Sequence, residues 1–462
     1  MKLLAPLLAA LVLAGCASVP AIDAASLPPT PAAFKEGRWT QAAPAEAASR
    51  GAWWKAFADP ALDDLVVRAD RNNNDIRVAA ARLDQAQAFL RAARADQLPR
   101  ADLGAGVSRQ DGLPLNPAGS PTTLYRLGVN ASYEVDLFGK LSQATRAARL
   151  DAQAREALLQ STRLLVQSEV AQTYLALRAL DAERALVRGT VGAYRETLDL
   201  TQRRYRAGDV AELDVERVRS EVAANEAEAF ALDRERAQLE HALAVLLGEA
   251  ASDFTLPEAD WKTALPAIPP GVPATVLARR PDVSAAQSTL LAAQARVGVA
   301  KAAWFPDIAL TAAGGQASPE IGDLFKWSAR AWGVGALLAL PLFDGGRREA
   351  GVDNARAEME ASLARYREQV LVALREVEDQ LAALRLLAEQ SQATERAVSA
   401  AARSTSLSDA RYRNGLVSQL DLLDARRSEL RNRRQALQVR SAQYQATVGL
   451  IRALGGGWEV RS

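Results

Sequence analysis

The stretch YRAGDVAELD, residues 205–214, returns as YRNGLVSQLD at residues 412–421. The two decapeptides share their Tyr-Arg pair, glycine, valine and final Leu-Asp, at an offset of 207 positions (205 to 412). The same offset relates Leu247-Gly248 to Leu454-Gly455. Because chance matches do not hold one offset across so much of a chain, we predict two structural copies of one unit.

Each copy has the same order of predicted elements. A helical stretch, 61–96 or 274–303, ends before a proline, and two short strand-like segments follow. A very long helix comes next, from Leu141 to Tyr205 or from Arg347 to Tyr412, and a glycine then turns the chain into a last helix. At 1.5 Å per residue the long helices are about 90–100 Å long. No single globular core buries such a helix, so we expect a coiled-coil-like array.

Apolar side chains alternate with polar or small ones along residues 124–137. This period of two, over a length that spans a tilted bilayer in about 9–11 residues, is typical of a transmembrane β-strand. Residues 99–110, 304–315 and 328–343 supply three more strands, although the last has a weaker polar face. A soluble, half-buried sheet remains an alternative. The apolar side of 124–137 carries Tyr125, Leu127, Val129, Ala131, Tyr133, Val135 and Leu137.

A sheet of only four strands cannot close a membrane barrel, because its edges would face lipid. Barrels with room for a lumen need about eight strands or more. Three chains with four strands each would supply twelve, and their helices would continue the barrel as a tube. The sequence therefore predicts a homotrimer.

The only cysteine, Cys16, ends the string Leu13-Ala14-Gly15-Cys16, which follows Lys2 and a short apolar run. The run is too short to cross a bilayer, which takes about 20 apolar residues, so it predicts an export signal over residues 1–15. The string resembles a bacterial lipobox, which implies an acylated cysteine at the mature N-terminus and contact with outer-membrane lipids. An ordinary cleaved signal with an incidental cysteine is the alternative.

Composition argues against several classes of function. The net charge of +1 creates no field that attracts nucleic acid. The single histidine, His241, cannot build a common zinc site without cysteine partners, and we place it on a helix surface. Gly104-Ala105-Gly106 lacks the third glycine of a dinucleotide site, and Gly455-Gly456-Gly457 precedes no helix. We predict no enzyme activity, no metal and no cofactor.

Several strings together resemble the outer membrane factor family of tripartite efflux pumps, the TolC-like channels, and in particular its lipoprotein (NodT-like) branch. The resemblance implies a trimer with a β-barrel in the outer membrane of a Gram-negative bacterium and an α-helical tunnel in the periplasm. It implies a passive duct for small molecules, served by an inner-membrane pump of RND type through a periplasmic adaptor. The matching strings are Trp53-Trp54, 133–140, 279–283, 341–347, 422–427 and 453–458.

The resemblance also implies roles for residues near the two glycine turns. It places the adaptor contact at these turns, which form the periplasmic tip, and a closing gate just beyond the second. Asp424 lies three residues before Arg427 and can pair with it, whereas Ser418-x-x-Asp421 is also a helix-capping pattern. The candidate docking residues are Arg206, Gly208, Val210, Arg413, Gly415 and Val417, and the candidate gate residues are Leu420, Asp421, Asp424, Arg427 and Tyr412.

The predicted fold is mainly α with a membrane β-barrel. Two other functions remain open: a duct for type I protein secretion, and a periplasmic coiled-coil lipoprotein without a pore. The predicted organisation is a signal peptide (1–15), an extended segment (16–60), a first repeat (61–248), an equatorial linker (249–273), a second repeat (274–456) and a tail (457–462).

Overall fold

The computed structural model describes residues 21, 27, 30–36, 51–110, 121–268 and 273–456. Cys16 and Trp458 lie outside these ranges. The described chain forms one order of elements twice, as the internal repeat predicts. The first copy contains α1 (Pro60–Asn72), α2 (Asn74–Ala95), β1 (Arg100–Gln110), β2 (Thr122–Glu134), α3 (Lys140–Arg206) and α4 (Glu212–Leu246).

The second copy repeats this order, and its long helix has 67 residues, as α3 does. One-turn 3-10 helices lie at Trp53–Phe57, before the first copy, and between the last two strands. Within the described ranges, no helix is both long enough and apolar enough to cross a bilayer. The second copy contains α5 (Pro273–Arg279), α6 (Pro281–Ala302), β3 (Asp307–Ser318), β4 (Arg330–Ala339), α7 (Arg347–Arg413) and α8 (Gln419–Ala453).

The helical stretch that begins each copy, predicted over 61–96 and 274–303, is divided into two helices by a single residue. Asn73 interrupts the first stretch: its amide oxygen accepts the N–H groups of Asp75 and Ile76, and its Nδ2 donates to the carbonyl of Leu246 at 2.9 Å. Arg280, 207 positions later, interrupts the second and donates to the carbonyl of Ala453, also at 2.9 Å. Leu246 and Ala453 are equivalent too, so the two breaks make the same tertiary hydrogen bond.

The described chain divides into two compact units. One includes residues 81–157 and 284–368, with all four strands. The other includes the described parts of 29–80, 158–283 and 369–462.

In the first of these units the strands form one antiparallel sheet in the order β1-β2-β3-β4. Its register sets Val129 opposite Leu103 on one side and Gly314 on the other, and Gly314 opposite Trp332. Residues directly opposite one another share a face, so the predicted apolar side of β2 lies on the same face as Leu103 of β1 and Trp332 of β4. Trp332 and Val334 are 82% and 77% exposed on this face. A broad exposed apolar face is typical of contact with lipid or protein.

On the opposite face of the sheet, β2 and β3 approach closely at a pair of glycines. Gly128 lies opposite Gly315. A Cβ added to Gly315 would lie 2.5 Å from the Cα of Gly128, whereas one added to Gly314 would meet no atom within 4 Å. The close approach of the two backbones therefore requires glycine at 315.

In the other unit, a buried ion network binds the linker between the copies to α3 and α4. Arg178 donates to the carbonyl of Pro257 at 2.7 Å, and Arg236 donates to that of Leu256 at 2.6 Å. Asp181 lies between arginines, with its oxygens 2.8 Å from Arg236 Nε and 3.2 Å from Arg178. Buried charges are tolerated only when paired and hydrogen-bonded, and these are.

We predict that Gly315→Ala destabilises the sheet by about 1–3 kcal/mol, since the backbones must separate to admit a methyl group. Gly314→Ala is the matched control, because it adds the same atom into open space one residue away. Thermal unfolding of the detergent-solubilised protein, followed by circular dichroism, measures both. An equal effect of the two substitutions would contradict the close approach.

Candidate functional site

The two turns that join the long helices have equivalent geometry. Gly208 and Gly415 adopt φ angles of 83° and 72°, in the left-handed region that favours glycine. The N–H of each glycine donates to the backbone carbonyl of the tyrosine three residues earlier, which is Tyr205 at 2.9 Å or Tyr412 at 3.0 Å. The next N–H bonds to the carbonyl five residues back, which completes a Schellman-type helix end. Both turns therefore end their helices by the same hydrogen bonds.

The surface of these turns combines positive and apolar side chains. Arg206 and Arg413 are exposed, and Val210 and Val417 are half-buried. Leu416, which directly follows the second glycine, is 67% exposed. Leu416 is not among the candidate docking residues taken from the sequence, although the apolar pair Leu416-Val417 directly after the turn glycine was a visible signal. An exposed leucine beside arginines suits a partner that offers apolar and acidic groups.

Ser418 is the N-cap of α8, the helix that begins after the second turn, and Asp421 completes its capping box. The Asp421 carboxylate accepts from the Ser418 N–H at 3.0 Å and from the Ser418 hydroxyl at 2.7 Å, and the hydroxyl accepts in return from the Asp421 N–H. These hydrogen bonds from Ser418 hold the pKa of the exposed Asp421 carboxyl below its ordinary value. The capping alternative that the sequence left open is thus present in the structure.

Arg427 joins two helices rather than one. It contacts Asp424 at 3.1 Å, as the three-residue spacing indicates, and it also pairs with Glu221 of α4. The Glu221 side chain is 15% exposed and that of Asp424 is 62% exposed. The hydrogen bond with Glu221 is the main cause that raises the pKa of Arg427. Glu221 is therefore the principal partner, and sequence spacing could not reveal it because the two helices are distant in sequence.

A second set of contacts ties α7 to its neighbours near the turn. Tyr412 is buried, and the guanidinium carbon of Arg204 lies 4.9 Å from its ring centre. Asp409 receives Arg413 at 2.8 Å and Arg426 at 3.0 Å. Arg413, a candidate docking residue, is thus also part of the ion pairs that hold the helix end.

Apolar packing beneath these ion pairs holds three helices together. Tyr194 of α3, Val218 and Val222 of α4 and Leu423 of α8 form one buried cluster. Burial raises the pKa of Tyr194 to about 12, so its hydroxyl stays neutral in the physiological range. Leu420, which precedes this cluster by about one turn, is 44% exposed. Leu420 and Asp424 thus present side chains to solvent while Leu423 anchors the helix.

The chemistry offered here is that of ion pairs and exposed apolar groups. Among the described residues, no group of three or more His, Cys, Asp or Glu side chains could hold a metal ion. His241 lies exposed on α4, as predicted from its position in a helical pattern.

Residues 65–249 and 272–456 match the model of a family described as outer membrane efflux protein. The chain belongs to this family. The two matched segments are the two copies of the repeat, so the family pattern and the internal duplication coincide. The resemblance to the TolC-like efflux channels that was drawn from the sequence is confirmed.

Relatives and solved structures agree with this assignment. ArpC, an antibiotic efflux pump outer membrane protein of Pseudomonas putida, is 35% identical over 99% of this chain and 96% of its own length. TtgC, a toluene efflux pump outer membrane protein of the same species, is 35% identical with the same coverage. The outer-membrane channel OprN superposes with a TM-score of 0.90 at 30% identity, over 96% of this chain and 100% of its own.

The family and the solved structure place the chain in the outer membrane as an efflux channel component with the TolC-like fold. The four-stranded sheet is the chain's share of the barrel, and the long helices are its share of the tunnel. Both were predicted from the sequence.

We predict that Glu221→Gln loosens the tip more than Asp424→Asn does, because Glu221 is the less exposed partner of Arg427. The expected losses are about 1 kcal/mol and at most about 0.5 kcal/mol, since exposed pairs contribute little. Hydrogen exchange of the first three turns of α4 and of α8, which include Glu221 and Arg427, measures local opening at both ends of the pair. If hydrogen exchange is faster in Asp424→Asn than in Glu221→Gln, Asp424 and not Glu221 is the more important partner of Arg427.

Proposed function

We propose that this chain forms, as a homotrimer, the passive outer-membrane duct of a tripartite system that exports small organic molecules. The observation that carries the proposal is the sheet. It has a continuous exposed apolar face, and within the described chain its outer strands, β1 and β4, each pair with one neighbour only. Lipid cannot satisfy the free backbone groups of such edges, so they require another strand.

Copies of the chain supply that strand most simply. All neighbouring strands in the sheet are antiparallel, so β4 runs opposite to β1, and β4 of one copy can continue the pattern onto β1 of the next. Three copies reach twelve strands, which is enough for a lumen. A trimer also supplies neighbours for the long helices along their whole length.

Energy for export would come from outside this chain. Its described residues show only ion pairs, caps and packing at the tip, and the sequence carries no nucleotide-binding or nucleophile motif. We assign it no enzymatic role and no nucleic-acid partner. The partners are a periplasmic adaptor at the two turns and an inner-membrane pump, which we expect to be of RND type. Docking involves Arg206, Gly208, Val210, Arg413, Gly415 and Val417, together with Leu416.

The names of relatives favour small molecules over secreted proteins. ArpC is named for antibiotic efflux and TtgC for toluene efflux, two chemically different cargoes. A duct that receives cargo from a pump need not recognise it, so relatives of one duct can serve pumps with different substrates. We therefore assign this duct small organic molecules as its class of cargo.

A gate near the second turn is part of the proposal. Leu420 and Asp424 point to solvent next to the anchored Leu423, and threefold symmetry would bring three copies of each together. Like charges in such a ring repel and attract cations. Arg427 and Tyr412 hold the ring through α4 and α7. Asp421 serves first in the capping box of α8.

We predict that the isolated trimer conducts weakly in planar bilayers and that Leu420→Ala combined with Asp424→Ala raises its conductance. The matched control is Leu213→Ala with Arg217→Ala, the equivalent positions in the first copy. Native mass spectrometry confirms that both variants remain trimeric. If the double variant at Leu420 and Asp424 is trimeric and conducts no better than the parent, these two residues do not close the channel. If the control variant raises conductance by the same amount, the effect is not specific to the second turn.

We predict that Cys16 is the acylated N-terminal residue of the mature protein. Mass spectrometry of the N-terminal peptide should show a lipid-modified cysteine, and Cys16→Ser should block processing. Membrane association of the variant can persist, because a closed barrel is itself a membrane anchor. A mature peptide that begins at another residue would refute the assignment.

A further inference from the structure

The face of the sheet opposite to its apolar face carries few charges. The register places Arg126 of β2 on this face together with Gly128, because residues two apart in a strand point to the same side. In the proposed barrel the apolar face contacts lipid, so the opposite face lines the lumen. The charged residues that the strands place on this lumen face are Arg100, Asp102, Arg126, Glu134 and Asp307.

Four of these five charged residues form ion pairs near the strand ends that join the helices. Arg100 contacts Asp102 at 3.2 Å. Glu134 and Asp307 both contact Lys140, the first residue of α3, at 3.0 Å and 3.1 Å. Their charges therefore largely cancel within each chain.

Arg126 is the exception. Its side chain is exposed, and within the described chain it forms no ion pair. The loop that follows β3 carries Glu320, Asp323 and Lys326, and the ion pair in this loop joins the last two at 2.6 Å. Among the charges on the lumen face of the described strands, Arg126 is thus the one that no neighbour neutralises.

The neighbours of Arg126 on this face are small, apart from Leu124. The register sets Gly106 of β1 opposite Arg126 on one side and Ala317 of β3 on the other. Gly128 follows on the same side of β2, and a Cβ added to Gly106 would meet no atom within 4 Å. The arginine therefore stands above a floor of small residues and can extend toward the axis of the barrel.

Arg126 lies in the half of the sheet that is distant from the helices. Strand β2 runs from Thr122, next to the loops, to Glu134, next to α3. At a rise of about 3.3 Å per residue, Arg126 lies about 13 Å from the first of these residues and about 26 Å from the second. The uncompensated charge is therefore inside the outer half of the proposed barrel.

Threefold symmetry would place three copies of Arg126 at one level. A barrel of twelve strands, about 4.8 Å apart and tilted by about 40°, is about 24 Å across. An extended arginine covers about half of the radius, so a solute on the axis passes within about 6 Å of three guanidinium groups. This distance is shorter than the Debye length of about 8 Å at physiological ionic strength, so salt does not abolish the interaction.

We propose that three copies of Arg126 form a positively charged ring in the barrel and make the duct selective for anionic small molecules. Rings of arginine or lysine line pores that select anions. Such a ring acts on the charge of a solute and not on its shape, so it is compatible with cargoes of different structure. This inference rests on the proposed trimeric duct and specifies the charge of the solutes that the duct favours.

Reversal potentials of the full-length trimer in planar bilayers, measured under a KCl gradient, test the ring. In dilute KCl, at about 10 mM, Arg126→Gln should raise the K⁺-to-Cl⁻ permeability ratio by about threefold to tenfold, because the removed charges act over a Debye length of about 30 Å. Near about 1 M KCl, where the Debye length is about 3 Å, the parent and the variant should agree. Arg126→Lys keeps the charge and should keep the parental ratio.

Arg109→Gln is the matched control. Arg109 is an exposed arginine of β1, but its register places it on the apolar face with Val107 and Leu103. The control removes the same charge from the outside of the barrel and should leave the permeability ratio near that of the parent. An equal shift in Arg109→Gln and Arg126→Gln would show an effect of net charge alone and would overturn the ring.

A trivalent organic anion gives a second measurement. Pyrene trisulfonate in dilute KCl should reduce the current through the parent and have less effect on Arg126→Gln. Native mass spectrometry separates failure of the ring from failure of the duct. A trimeric Arg126→Gln with the permeability ratio and the block of the parent would overturn the ring and leave the proposed duct intact. Absence of trimers, or of any current, in the parent would overturn the duct and the ring together.

Discussion

The structure depends on one constraint: a helix of 67 residues has no core of its own. Helices α3 and α7 each reach this length, and both can bury apolar surface only against other long helices. Near the tip, three helices bury apolar surface against one another in one small core. This core consists of Tyr194, Val218, Val222 and Leu423. Each helix then needs a definite end, and the left-handed glycines Gly208 and Gly415 supply it.

The non-helical segments are held by hydrogen bonds from arginine side chains as well as by burial of apolar side chains such as Phe34 and Trp261. Arg178 binds the linker at Pro257, while its equivalent in the second copy, Arg385, binds Glu36 of the N-terminal segment at 3.1 Å. The same position of the repeat is thus an arginine in both copies, and in each copy it binds a different non-helical segment. Buried ion pairs contribute little net stability, but they tolerate few alternative geometries, which suits segments without periodic structure.

Local periodicity explains how much of the fold the sequence could predict. The strands were visible because alternation is a local signal, and the register later joined their apolar faces across Val129, Gly314 and Trp332. The turns were visible because glycine marks a left-handed residue. The breaks at Asn73 and Arg280 and the pairing of Arg427 with Glu221 were missed, since both depend on contacts between distant segments. Asp421 fitted two patterns, and only its contact with Ser418 showed that it completes a capping box.

The equivalence of Asn73 and Arg280 has a consequence for the symmetry of the assembly. Each donates to the last carbonyl of its own copy's final helix, at Leu246 or Ala453, although the two side chains differ completely. The two copies have therefore kept the same backbone geometry and the same hydrogen bond, although the donating side chain differs. Two copies in each of three chains place six units with equivalent backbone around such a tube. In the proposed trimer the sixfold pattern survives in the backbone, while the side chains keep only threefold symmetry.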